Sequence, residues 1–143
     1  MKNLPTCVDV FGVALAETDY REAVQALPAL SSQRGPGAVA ACNTHIVALA
    51  RQRPDFRAVL EKFDVLLPDG MPLVWAMRRK GADLQDRVYG PYFMQEAIRN
   101  LPRPWKHFFF GGTETCLRQL TEACRQIQPE VDIDRKSTRL NSS

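Results

Sequence analysis

Apolar residues recur along this chain in two alternating rhythms. Short runs of consecutive or near-consecutive apolar residues stand at 8–15 (VDVFGVAL), 38–42 (AVAAC), 65–67 (VLL), 107–110 (HFFF) and 131–133. Between them, apolar residues fall at i, i+3, i+4, i+7, as in Tyr20, Ala23, Val24, Leu27 and again in Phe56, Val59, Leu60, Phe63. The runs predict strands and the spaced sets predict amphipathic helices. Gly12 reads as a bulge or a close-approach point within the first strand, and AVAAC reads as a central parallel strand buried on both faces.

Punctuation residues agree with that division. Thr18 and Asp19 are placed to cap the first helix, with Glu22 in its first turn and Pro28 near its end. The stretch 31–37 (SSQRGPG) is a turn-rich linker. Ile46, Val47 and Ala50 continue at helical spacing to Arg51, and Pro54 suits the start of the next helix. Leu73 to Met77 is apolar almost all round, which predicts a largely buried helix in which Trp75 packs; Trp105 reads as packing also. The segment from Arg87 to Gly90 is a short extended piece or loop. Met94, Ala97, Ile98 and Leu101 outline a helix stopped by Pro102 and Pro104. Thr113 caps a helix carrying Leu117, Leu120, Cys124 and Ile127, on which Cys116 and Cys124 act as small apolar residues. Strands and helices alternate with connections too long for hairpins. The expected fold is therefore α/β and Rossmann-like, a mostly parallel sheet with helices on both faces.

Composition narrows the class. The 143 residues, 45% hydrophobic and 24% charged, fit one soluble globular domain. No apolar run approaches the roughly 20 residues that span a bilayer. The N-terminus is a poor signal peptide, interrupted by Asp9 and Glu17, so the chain reads as cytoplasmic. The four cysteines form no C-x-x-C pair and have no histidine cluster beside them, which supports neither a metal site nor a disulfide framework.

The net charge of +3 sits in the last nine residues, which carry Arg135, Lys136 and Arg139 and no acid. Without them 16 basic residues stand against 16 acidic ones, so no nucleic-acid partner is indicated. That tail, RKSTRLNSS, follows the start of a strand but is polar and patternless. It resembles translated adapter sequence, with a disordered tail as the alternative. The expected organisation is an α/β domain over 1–134, incomplete at its C-terminus, and a foreign or disordered tail over 135–143.

Chemistry in open α/β sheets gathers at the carboxyl ends of strands. Three places qualify: Asn43 after AVAAC, Asp69-Gly70 after DVLLP, and Gly111-Gly112 after HFFF. Asp69 reads as a general base or a turn former. Arg87 reads as a diphosphate clamp or a surface partner of Asp83 or Asp86. Paired glycines before a capped helix let backbone N–H groups approach a phosphate. Neither a G-x-G-x-x-G nor a G-x-x-x-x-G-K-[ST] motif is present, which disfavours a dinucleotide-dependent oxidoreductase and a P-loop enzyme. His107 reads as a core or edge residue.

Taken in order, Asn43, FDVLLPDG (63–70), RVYGP (87–91) and FFFGG (108–112) resemble the WecG/TagA/CpsF glycosyltransferases, glycosyltransferase family 26. The opening VFGVALAETDYREAVQAL (10–27) is similar as well. The resemblance covers 8–133 and implies a bacterial inverting enzyme. Such an enzyme moves a sugar of the N-acetylmannosamine type from a UDP-sugar to a polyprenyl-diphosphate-linked acceptor, in teichoic acid or surface polysaccharide synthesis. It implies Asp69 as base, Arg87 on the departing diphosphate, Asn43 near the donor sugar, and Gly70, Gly111 and Gly112 against the substrate. A free aspartate titrates near pH 3.9, so a useful base needs burial or a carboxylate neighbour. The resemblance further implies no cofactor beyond the donor, no metal ligands, an inner-membrane-face location and a capacity to form homo-oligomers. A nucleotide-binding module without catalysis is the alternative. Two departures stand out: Ala41 replaces a frequent threonine, and Tyr92 replaces the acid that usually follows R-x-x-G-P.

Overall fold

A computed structural model describes residues 4–32, 35–101 and 103–137, the last three by backbone alone. The chain forms two compact units, Met1–Phe93 and Met94–Ser143.

The first unit opens with β1 (Cys7–Val10) and β2 (Val13–Ala16), an antiparallel pair in which Val10 faces Val13. The single strand expected over 8–15 is thus a tight hairpin, an exception to the rule of long connections. Phe11 and Gly12 form its turn, with φ of 53° and 86°. Two consecutive positive φ values match a type I′ turn, whose twist suits paired strands. The usual Asn-Gly signal is missing, which hides the turn in the sequence. Arg51 compensates by laying its guanidinium 5.1 Å from the centre of the Phe11 ring.

Helix α1 (Tyr20–Ser31) begins where expected, with the Asp19 carboxylate accepting from the Glu22 N–H at 2.8 Å. Strands β3 (Val39–Cys42) and β4 (Val65–Pro68) pair in parallel, Val39 level with Val65 and Cys42 with Pro68. Helices α2 (Thr44–Gln52) and α3 (Pro54–Leu60) make the crossover between them. Helix α4 (Met71–Arg79) follows β4, and α5 (Gly90–Asn100) starts at the edge of this unit.

β4 is the strand buried throughout, whereas in β3 only Cys42 is fully buried. Because side chains alternate along a strand, Leu66 joins Val47, Leu60, Val74 and Met77 in one cluster. Val65 and Leu67 join Ala16, Ala23, Leu30 and Val88 in another. Helices therefore cover both faces of β4, as the fold class requires. α4 is less buried than its composition predicts: Leu73, Val74 and Met77 point inward while Trp75 is 58% exposed. Its apolar stripe is one-sided, so Trp75 is a surface residue and not a packing one.

In the second unit β5 (Lys106–Phe110) pairs in parallel with β6 (Asp132–Ser137) across α6 (Glu114–Ile127). The Thr113 hydroxyl caps α6 by accepting from the Cys116 N–H at 3.2 Å. Leu117, Thr121 and Cys124 face inward, but Cys116 is exposed, so only one of the two cysteines acts as a core residue. His107 is half-buried, and its Nε2 has no partner among the described residues. β6 carries strand backbone through Ser137, three residues into the stretch set apart as a tail; 138–143 lie outside the described residues.

Candidate active site

The parallel register of β3 and β4 fixes where their loops emerge. Cys42 and Pro68 are level, so Asn43 and Asp69 leave the same edge side by side. The Asp69 N–H donates to the Cys42 carbonyl at 2.9 Å and extends the ladder by one rung. Asn43 caps α2, its side-chain oxygen accepting from the Ile46 N–H at 3.0 Å. That bond uses the oxygen, and the amide NH2 has no hydrogen-bond partner among the described residues. Gly70 opens α4, and a Cβ placed on it would lie 3.7 Å from the Thr44 hydroxyl. The starts of α2 and α4 therefore adjoin, and both present the positive ends of their dipoles at the strand edge.

A third segment meets this edge. The Val88 N–H donates to the Pro68 carbonyl at 2.9 Å, and the Gly90 N–H reaches the Asp69 Oδ2 at 3.4 Å. Asp69 is half-buried. Its other carboxylate oxygen has no hydrogen-bond partner among the described residues. Gly90 is glycine for lack of room. A Cβ there would sit 3.2 Å from the Ala41 Cβ, tighter than ordinary packing, and 3.8 Å from the Asp69 carboxylate. Ala41, the position at which the family often carries threonine, is thus part of the wall beside Asp69.

Arg87 does not make the surface ion pair that its neighbours invite. Its own backbone N–H donates to the Asp86 carboxylate at 2.7 Å, and its guanidinium stacks on Tyr89, 5.0 Å from the ring centre. Stacking holds the planar cation in place while its donors stay open to an anion. Tyr89 belongs to an aromatic group that sequence reasoning missed. Tyr92 meets Tyr89 edge-on at 5.5 Å and Tyr20 at 6.4 Å. The Tyr20 hydroxyl accepts from the Tyr89 N–H at 2.9 Å. Tyr92, standing where the family usually has an acid, replaces a charge with an aromatic contact.

Beneath Asp69 lies the buried Cys42 thiol, whose pKa is pushed up to about 11, first by burial and then by the Asp69 carboxylate. It stays a neutral thiol near neutral pH and is no nucleophile. A cavity of about 780 Å3 touches Arg87, yet its walls include Glu17, Asp19, Glu22, Asp83 and Asp86 and not Asp69. Among those lining residues Arg87 is the one cation, so an anion is favoured there only at its guanidinium, and Asp69 lies outside the lining. A second cavity, about 500 Å3 and mostly apolar, runs between α2 and α4 from Thr44 to Ala76.

Gly111 and Gly112 belong to the second unit, at the carboxyl end of β5 and just before capped α6. Their φ values of 108° and 75° lie where residues with a Cβ are strained, which accounts for both glycines.

The order of these segments is matched by the model of the WecG/TagA/CpsF family of glycosyl transferases over residues 8–137. The chain belongs to that family. One curated relative is the N-acetylglucosaminyldiphosphoundecaprenol N-acetyl-beta-D-mannosaminyltransferase of Bacillus spizizenii, 29% identical over 96 residues. The match takes in 66% of this chain and 37% of the relative, so the chain spans little more than a third of the relative's length. In this WecG/TagA/CpsF chain the structure brings Asn43, Asp69 and Gly70 to one strand edge. It joins the Arg87–Gly90 segment to that edge through Val88 and Gly90.

Proposed function

We propose that this chain carries the donor side of an inverting glycosyltransferase. The full-length protein would transfer an N-acetylmannosamine-type sugar from a UDP-sugar to N-acetylglucosamine on a polyprenyl diphosphate, at the inner membrane face, in teichoic acid or polysaccharide assembly. One observation carries the reading. Asp69 stands at the end of strand β4, with one oxygen accepting from the Gly90 N–H and the other without a partner among the described residues, between two helix starts. Membership of the family and the name of the Bacillus relative support the same chemistry.

The reaction follows from these groups. The free Asp69 oxygen takes the proton of the acceptor hydroxyl as that oxygen bonds to the anomeric carbon. The bond from that carbon to the diphosphate breaks, and its electron pair leaves with UDP. Arg87, stacked on Tyr89 and without an ion-pair partner among the described residues, meets the charge that develops on the diphosphate. Asn43 and Gly70, which stand beside Asp69 at the same strand edge, would contact the donor sugar. Attack from the side opposite the leaving group inverts the anomeric centre.

Titration calorimetry with UDP on Arg87 variants tests the diphosphate assignment. A charge-assisted hydrogen bond contributes about 1.5–3 kcal/mol, so Arg87→Ala should weaken UDP binding roughly 10- to 100-fold. Arg87→Lys should recover little of this, because lysine keeps the charge but lacks the planar fork and the stack on Tyr89. Wild-type UDP affinity in Arg87→Ala would remove Arg87 from the site. UDP binding without product in a parallel transfer assay would favour a non-catalytic nucleotide module.

A further inference from the structure

The segment from Lys80 to Tyr89, which contains Arg87, has no helix or strand of its own. Its final shape rests on three successive N–H groups, two of which donate to the end of β4 and one to the start of α1. Val88 donates to Pro68 at the end of β4, Tyr89 to the Tyr20 hydroxyl at the start of α1, and Gly90 to Asp69. The middle bond is the only one of the three made to a neutral side chain, and it spans 69 residues of sequence. It also sits between the two groups that matter for chemistry. On one side is the ring under the Arg87 guanidinium, and on the other the N–H on Asp69.

We infer that Tyr20 is a positioning residue for the transfer reaction, acting through its phenolic oxygen. This rests on the transferase reading above. The hydroxyl fixes the height of the Tyr89 amide, and with it the stack that aims Arg87 and the rung that orients Asp69. Without that oxygen the Tyr89 N–H lies partly buried with no acceptor, which the backbone relieves by shifting. A small shift here moves a clamp and a base together, and transfer rates are sensitive to such displacements. The ring of Tyr20 has a separate duty. It packs on the cluster of Leu67 and Val88 and meets Tyr92 edge-on, and phenylalanine would preserve both contacts.

Tyr20→Phe therefore separates the oxygen from the ring. Amide hydrogen exchange on the unliganded protein should speed up about five- to tenfold at Tyr89, while Val74 and Leu67 in the core keep wild-type rates. In the full-length enzyme kcat should fall about tenfold, with KM for the donor changed less than twofold and the thermal midpoint preserved. Tyr20→Leu, which removes the ring as well, should lower the thermal midpoint but reduce kcat little further. Unchanged exchange at Tyr89, or faster exchange with wild-type kcat, would overturn the inference. A loss of kcat accounted for by loss of folded protein would overturn it too. If the wild-type enzyme transfers no sugar while Tyr89 exchange still responds to Tyr20→Phe, the transferase reading has failed and the positioning role fails with it.

Discussion

Asp69→Asn in the full-length protein is expected to slow sugar transfer by about 10²- to 10⁴-fold, the range typical for loss of a general base. The substitution is nearly isosteric, and its side-chain oxygen still accepts from the Gly90 N–H that now meets Oδ2. The shape of the edge between Asn43 and Gly90 is then preserved and only the proton acceptor is lost. Asp69 is half-buried and outside both apolar clusters. The thermal midpoint should therefore stay within about 3 °C of wild type, the scale of a change outside the core. UDP affinity should also hold within a few-fold, because the diphosphate is assigned to Arg87. Turnover near the wild-type rate in Asp69→Asn would sink the base assignment, and a collapsed midpoint would show that the carboxylate was structural.

The largest effect on stability is expected two residues earlier. Leu67 is 0% exposed on β4, among Ala16, Ala23, Leu30, Val65 and Val88. Leu67→Ala removes buried methyl groups from between α1 and the strand pair and leaves a cavity, at a cost of about 3–5 kcal/mol. Set against a typical domain stability of about 5–15 kcal/mol, that is a large fraction. At roughly 4–8 °C per kcal/mol for a unit of this size, the midpoint should drop by more than 10 °C in a circular dichroism melt. Trp75→Ala, on the exposed face of α4, is the control and should change stability by no more than about 0.5 kcal/mol. Equal losses in the two variants would contradict the assignment of β4 as the doubly covered strand.

The fold was legible wherever one short-range signal decided a segment. Asp19 and Thr113 cap their helices as their positions predict, and α2 starts at the asparagine where the apolar run breaks. The first hairpin was hidden because Phe11 takes a positive φ that few non-glycine residues adopt. The Arg51 guanidinium, 40 residues away in sequence, lies over the Phe11 ring, and no local pattern encodes that contact. Trp75 was misplaced for a different reason. A run of five apolar residues says nothing about which side of the helix lacks a neighbour.

The site divides in the same way. Asp69 and Asn43 could be located because a strand must end before a loop can carry chemistry, and composition marks where strands end. Arg87 was visible as a residue, but its freedom from Asp83 and Asp86 depends on stacking with Tyr89. Tyr20 had no signal at all. Its hydrogen bond to Tyr89 joins positions 69 residues apart, and no spacing rule reaches that far. The need for glycine at position 90 likewise appears only once Ala41 and Asp69 are seen to close around it.

A transfer assay on the full-length protein bears most directly on the central claim. UDP-N-acetylmannosamine would be supplied with N-acetylglucosamine linked to a short polyprenyl diphosphate, and UDP and lipid-linked disaccharide would be counted together. One UDP released for each disaccharide, with the configuration at the transferred sugar inverted, is the predicted result. UDP that binds with no disaccharide formed, or a product that retains the donor configuration, would contradict it.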